Sequence, residues 1–132
     1  MNELYFKQMD FQESLRRNLI LNGFDEINFD EEDIYSFDYT GNIGAEIFRK
    51  TKQIGRLSIN YDLFESDIFI GNILIYQQRK GYGKKVVSNL EETSREFEFK
   101  KIYLLPKDSE AQNFWEHMGY TTDSSGKMIK LL

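Results

Sequence analysis

The sequence predicts an α+β fold. One mixed, mostly antiparallel sheet is covered by helices, in the order β-α-β-β-β-α-β-α-β. Three observations predict it. Apolar runs of strand character follow one another between Ile43 and Tyr76, with turn-like connections, which describes an antiparallel meander. A strand, a helix and a second strand then occupy Asp67 to Leu105, the unit that sets two strands parallel. Gly23 and Gly119 each close an apolar pattern of helical period, where a helix stops.

Taken in order, Glu3 to Met9 alternates like a strand, and Asp10 opens the first helix. Asp10 and Glu13 have capping-box spacing, and Phe11, Leu15, Leu19 and Leu21 supply the apolar face. Phe24 to Glu32 is polar and acidic and reads as a loop with a helical turn. Ile43 to Lys50 and Ile54 to Leu63 read as strands joined through Thr51-Lys52-Gln53. Asp67 to Tyr76 is the third strand. Its run IFIGNILI is apolar on both faces, as in a central, covered strand, and Gly71 within it marks a bulge or a close backbone approach. Lys84 to Phe97 carries Val86, Val87, Leu90 and Phe97 at helical spacing. Lys101 to Leu105 is a short strand ended by Pro106. Asp108 or Ser109 caps a helix over Glu110 to Met118. Tyr120 and Lys127 to Leu131 supply closing strand material.

The chain has 132 residues, which fits one domain spanning 1–132 with a core of its own. It has no cysteine, so disulfides, thiolate metal sites and cysteine nucleophiles are excluded, and a reducing compartment fits. The single histidine, His117, and scattered carboxylates lack metal-ligand spacing, so no metal is expected. The N-terminus lacks a basic region followed by an apolar core, and no apolar run can span a bilayer, so a soluble cytoplasmic protein is expected. The formal net charge of −5 argues against a nucleic-acid partner and suits a cationic substrate or simple solubility.

One stretch carries chemistry. Gln78-Arg79-Lys80-Gly81-Tyr82-Gly83-Lys84-Lys85 stands between the third strand and the second helix. Gly81 and Gly83 let a ligand approach the main chain. The first turn of the helix that follows presents unpaired N–H groups and the positive end of its dipole. Together they form an anion cradle suited to phosphates. The alternative is a tight turn with solvated lysines. A Walker loop is excluded by spacing and by the missing Ser/Thr, and a dinucleotide fingerprint by the missing third glycine.

The spacing of Gln78, Gly81 and Gly83 resembles the acyl-CoA signature of the GNAT acetyltransferases. Downstream, Asp108-Ser-Glu-Ala111-Gln-Asn-Phe-Trp115-Glu-His-Met-Gly119-Tyr120 is similar to the family's next helix, with Ala111, Gly119 and Tyr120 on the pattern. The likeness covers about Ile43 to the C-terminus. It implies the GNAT fold and an acyl-CoA N-acyltransferase domain, with acetyl-CoA as co-substrate and no metal. It implies pyrophosphate on the amides of Arg79, Lys80, Gly81, Tyr82, Gly83 and Lys84, and pantetheine along the backbone of Ile73, Leu74 and Ile75. Asp108 stands where the family often has an asparagine, and Ala111 and Trp115 follow on the same helix. The family tyrosine that protonates the leaving thiolate is Trp115 here, and an indole is no practical acid. Tyr120, Tyr103 and Tyr76 are the other candidates. Asp67 takes the place of a glutamate base found in some relatives, or is a strand-end aspartate, and Glu46 is a further candidate base.

The implied function is transfer of an acetyl group from acetyl-CoA to a primary amine by direct attack. The alternative is a CoA-binding regulatory or interaction module with weak or no turnover. A third reading, a plain interaction domain using the acidic segment Asp25 to Asp33, predicts no CoA binding. The acceptor is a small-molecule amine or a protein lysine or N-terminus. No nucleic-acid or membrane partner is expected, and a homodimer is compatible.

Overall fold

The computed structural model describes residues 6–30, 39–77 and 80–132. It contains helices α1 (Gln8–Leu21), α2 (Tyr82–Glu96) and α3 (Ser109–His117) and strands β1 (Glu26–Phe29), β2 (Thr40–Arg49), β3 (Lys52–Asp62), β4 (Asp67–Ile75), β5 (Lys101–Leu104), β6 (Thr121–Thr122) and β7 (Met128–Leu131). The seven strands form one sheet in the order β1-β2-β3-β4-β5-β7-β6. All pairings are antiparallel except β4 with β5, as the strand–helix–strand unit predicts.

Alternation decides the layers. Ile43, Ala45, Ile47, Leu57, Ile59, Tyr61, Ile68, Ile70, Ile102 and Met128 are buried against the helices. The Tyr61 hydroxyl donates to Gln8 Oε1 on α1, and the Lys130 ammonium donates to Glu91 on α2 and to the Met118 carbonyl at the end of α3. The other sheet face carries Asn42, Glu46, Arg56, Ser58, Asn60 and Asp62, none of them buried. Between α1 and α2 runs a polar seam. Asn18 donates to Thr93 Oγ1 at 2.8 Å, and Asn22 donates to Asn89 at 2.9 Å. Glu96 accepts from Asn18 and Ser14, and these bonds hold its carboxyl below the ordinary range.

Both predicted glycine stops are present. Gly23 and Gly119 have φ of +102° and +94°. After each, the next amide bonds back to the carbonyl five residues earlier, Phe24 to Leu19 and Tyr120 to Trp115. In both cases the aromatic ring that follows is buried.

Four expectations need correction. The N-terminal strand is not found. Residues 3–5 lie outside the described part, Phe6 and Lys7 are irregular, and Gln8 already opens α1. Asp10 is no cap, because Lys7 is the N-cap residue; Glu13 pairs with Arg16 instead. Leu21 is 76 % exposed and off the buried stripe. Glu26–Phe29 is a strand and not a helical turn; only Ile27 is fully buried, as expected of an edge strand.

The β2–β3 hairpin turns on Lys50 and Thr51, with Arg49 opposite Lys52. Both residues take positive φ, 54° and 63°. That two-residue geometry favours Asn-Gly and disfavours a β-branched side chain. Exchanging Lys50-Thr51 for Asn-Gly is expected to stabilise the fold by about 1 kcal/mol, read as a higher melting temperature in calorimetry.

No helix among the described residues is long and apolar enough to cross a membrane.

Candidate functional site

The site begins as a gap in the sheet. The parallel pairing of β4 with β5 runs from Asp67↔Lys101 to Ile70↔Leu104 and stops. Beyond that point β4 continues beside β3, to Gly55↔Ile75, without β5. A bulge falls at Gly71, where Ile70 pairs with Ile59 and Asn72 with Ser58, leaving Gly71 as the extra residue. The sequence marked this position. The bulge shifts the alternation, so that Ile73 and Ile75 turn to the helix side. Leu74 opposes Arg56 on the other face.

A cleft of about 580 Å³ fills the gap between β4, the start of α2 and α3. Ile73, Ile75, Gly81, Tyr82, Gly83, Lys84, Asp108, Ala111 and Trp115 all line it. These are nine of the residues that the motifs single out. Leu74 and Lys80 are not among the lining residues, and Gln78 and Arg79 lie outside the described residues. Four lining residues escaped the sequence reading: Gln77, Lys107, Glu110 and Phe114. Phe114 was within reach, since Ala111, Phe114 and Trp115 share one face at i, i+3 and i+4. A Cβ at Gly83 would lie 3.5 Å from the Phe114 ring, an ordinary contact, so the start of α2 packs directly against α3 here.

At one end of the cleft, Gly81 is the N-cap of α2 with φ +77°, and a Cβ there would meet nothing within 4 Å. No side chain caps the helix, and its first turn holds no acidic residue. Among the described residues no side chain takes the amides of this turn, and Gly81 to Lys84 line the cleft with Lys107 of the β5–α3 loop. Arg49 approaches from β2, its guanidinium 5.9 Å from the Tyr82 ring centre.

From α3, Trp115 lines the cleft and is 4 % exposed. Its ring meets Phe114 at 5.1 Å and Tyr120 at 5.0 Å. Asp108 caps α3, accepting from the Ala111 amide at 2.8 Å, so the helix-cap role is real even though the residue also lines the cleft.

Tyr120 is corrected as a candidate acid. It is 2 % exposed, and its hydroxyl donates to Glu91 Oε2 at 2.9 Å. Burial first, then the Glu91 charge, pushes its hydroxyl well above the ordinary tyrosine range. It lies behind Trp115 and serves packing. Tyr103, half-buried against Phe69 at 5.1 Å, is also pushed up by burial and by the carboxylates of Asp67, Asp62 and Glu65. Tyr76 is 55 % exposed and outside the cleft lining. Glu46 sits 3.6 Å from Arg56. His117 is exposed, its Nδ1 2.8 Å from the Asn113 carbonyl.

Asp67 is 7 % exposed at the start of β4, outside the cleft lining. Its carboxyl makes no hydrogen bond or ion pair among the described residues. Burial raises its pKa first, and Asp62 and Glu65 add to this against the opposing pull of Lys101 and Lys127. Among the described residues, no group of three or more His, Cys, Asp or Glu can hold a metal.

Solved structures share this architecture. An acyl-CoA N-acyltransferase assignment from Klebsiella pneumoniae matches with TM-score 0.61 and 18 % identity, over 69 % of this chain and 72 % of that one. The IAA acetyltransferase of Bacillus cereus matches with TM-score 0.59 and 17 % identity, over 69 % and 78 %. A Bacillus subtilis acetyltransferase in complex with CoA matches with TM-score 0.59 and 14 % identity, over 69 % and 77 %. At these identities the likeness shows the fold. No curated protein matches the sequence. The profile of the acetyltransferase (GNAT) family matches residues 13–120, so the chain is a member of that family.

Proposed function

We propose that the protein transfers an acetyl group from acetyl-CoA to a primary amine by direct attack. The observation that carries the reading is the cleft where β4 runs on beyond its pairing with β5, with the uncapped start of α2 in its lining. Its volume lies within the usual range for a ligand pocket, roughly 300–1,000 Å³. The open space above Gly81 and the acid-free first turn of α2 fit a pyrophosphate.

In this reading the amides of Gly81 to Lys84 hold the phosphates, and Lys84 and Lys107 add charge. The backbone of Ile73 to Ile75, beyond the pairing with β5, takes the pantetheine arm as an added strand would. A backbone N–H near Ile73 polarises the thioester carbonyl. The enzyme holds amine and carbonyl in contact, which accounts for much of the rate. An amine must lose a proton before it attacks, and Asp67 receives that proton. From Asp67 to Ile73 the strand spans about 20 Å, so the proton travels through water on the open face. The net charge of −5 suits a cationic acceptor. Isothermal calorimetry with acetyl-CoA, followed by thiol release over a panel of amines, tests the reading. Absence of saturable binding overturns it.

Asp67→Asn is expected to lower kcat/KM at neutral pH by about 100-fold, through loss of the base. Its effect on stability has the opposite sign. The folded pKa is raised, so the native state favours the protonated acid. The contribution of Asp67 is therefore fully present below the unfolded pKa near 3.8 and is lost as pH rises through the folded pKa. The asparagine variant should be the more stable protein at neutral pH, and the advantage should vanish in acid. Chemical denaturation at several pH values reads this directly.

A second reading, a CoA-binding module without turnover, draws on one observation. Among the described residues the only tyrosine in the cleft lining is Tyr82, at the start of α2, so the tyrosine acid that the family resemblance implies on α3 is absent. It predicts tight CoA binding with no thioester loss for any amine.

A further inference from the structure

Arg49 is a cation beside the start of α2 that no motif singles out. It closes β2 and is partly buried. Its guanidinium makes one hydrogen bond among the described residues, from Nη1 to the Tyr82 hydroxyl at 3.4 Å, a long one, and no ion pair. An arginine has five N–H donors in a planar fork that suits a phosphate, so most of this fork is uncommitted. Tyr82 is a firm support, since its ring packs on Phe24 at 5.9 Å and its backbone lies in the first turn of α2. Arg49 Cζ is 5.9 Å from the centre of that ring while Nη1 is 3.4 Å from its oxygen. The guanidinium therefore sits off the hydroxyl end of the ring and not over its face.

That position selects one phosphate of the cofactor. In the reading above, the pyrophosphate rests on the amides of Gly81 to Lys84, and pantetheine runs from there along β4. The whole Tyr82 side chain separates the guanidinium from those amides, so Arg49 does not reach a phosphate seated on them. CoA carries one more phosphate, the 3′-monoester of its ribose. It lies one sugar beyond the pyrophosphate, away from the pantetheine, and near neutral pH it is close to a dianion. Two flanks of the α2 start adjoin that end. The β5–α3 flank sets Lys107 against two carboxylates, Asp108 and Glu110. The hairpin flank sets Arg49, Lys50 and Lys52 against Asp25 and Glu26, and the Asp25 carboxylate already accepts from the Lys50 amide. Cations outnumber carboxylates on the hairpin flank alone, so a dianion is favoured there.

We propose that Arg49 binds the 3′-phosphate of CoA and makes the site distinguish CoA from its 3′-dephospho form. The proposal rests on the acetyl-CoA reading above. The Tyr82 hydroxyl holds one corner of the fork before the ligand arrives, and the remaining N–H groups donate to the phosphate oxygens. Arg49 is a specificity residue for the cofactor and takes no part in the bond-breaking step. Its loss therefore raises the KM for acetyl-CoA and leaves kcat little changed.

Calorimetry with CoA and with 3′-dephospho-CoA, on the wild type and on Arg49→Gln, reads the contact. The wild type should bind CoA roughly tenfold more tightly than the dephospho form. Arg49→Gln should lose that preference by weakening CoA alone. Arg49→Lys keeps the charge and gives up the fork, so its preference should fall too, by less. If Arg49→Gln weakens both ligands equally, the residue acts through Tyr82 or the pyrophosphate; the proposal is overturned and the CoA reading stands. An unchanged preference in both variants overturns it as well. If the wild type binds neither ligand, both readings fall. Should Arg49→Gln fail to fold, the ratio of the two affinities in Arg49→Lys decides by the same criteria.

Discussion

Gly81→Val is expected to abolish measurable CoA binding while leaving the protein folded. Gly81 holds φ +77° as the N-cap of α2. A β-branched residue in that region costs about 1–2 kcal/mol in backbone strain alone. It relieves the strain by turning the peptide, and the first amides of α2 turn with it. Those amides, with the helix dipole, are the proposed phosphate site. The added side chain also enters the open space above Gly81, where nothing lies within 4 Å. Strain, lost donors and occupied space act together, so a loss of at least 100-fold in affinity is expected by calorimetry. Circular dichroism should stay near the wild type, because the later turns of α2 are held by the buried Val86, Val87 and Leu90. A Gly81→Val protein that binds CoA normally would remove the turn from the site.

Glu91→Ala is the substitution expected to cost the most stability. Glu91 is 4 % exposed. One carboxylate oxygen accepts from Lys130 at 3.1 Å and the other from the Tyr120 hydroxyl at 2.9 Å. Lys130 also donates to the Met118 carbonyl at 2.8 Å. This one side chain therefore ties α2 to the end of α3 and to β7. Its removal leaves a hydroxyl and an ammonium short of a partner. Breaking such a pair by removing one member costs about 3–5 kcal/mol when both are buried. The lysine side chain is 26 % exposed, so about 3 kcal/mol is expected here. Urea denaturation should show a lower midpoint at unchanged slope. The two helices also form opposite walls of the cleft, so CoA affinity should fall with the stability. Glu91→Gln keeps an acceptor for Tyr120 and should lose less.

The elements that were legible carry their own signals. β2, β3 and β4 alternate or run apolar, α2 repeats at helical spacing, and α1 and α3 end on glycines that adopt positive φ. Gly71 foretold the bulge, and the family resemblance singled out nine residues that line one cleft, six of them in the glycine turn and the Ala111–Tyr120 pattern. What was missed depends on partners far along the chain. β1 has a single fully buried residue, Ile27, and is a strand because β2 supplies its hydrogen bonds. The Lys50-Thr51 turn contains no turn residue, and the register of the flanking strands imposes its φ values. Lys107 and Glu110 enter the cleft only because the end of β5 and the start of α3 face the glycine turn across it.

By itself, then, the sequence determined the central strands, α2 and α3, the family likeness and the glycine-bearing start of α2, since each rests on spacing within a few residues. Only the tertiary structure decided which polar groups remain free for chemistry. Tyr120 and Trp115 are five positions apart and both nearly buried, and the chain does not distinguish them. Folding puts Glu91 against the Tyr120 hydroxyl and sets Trp115 in the lining of the cleft. A polar group's partner is set by what packs beside it in three dimensions, and local sequence does not encode that neighbour.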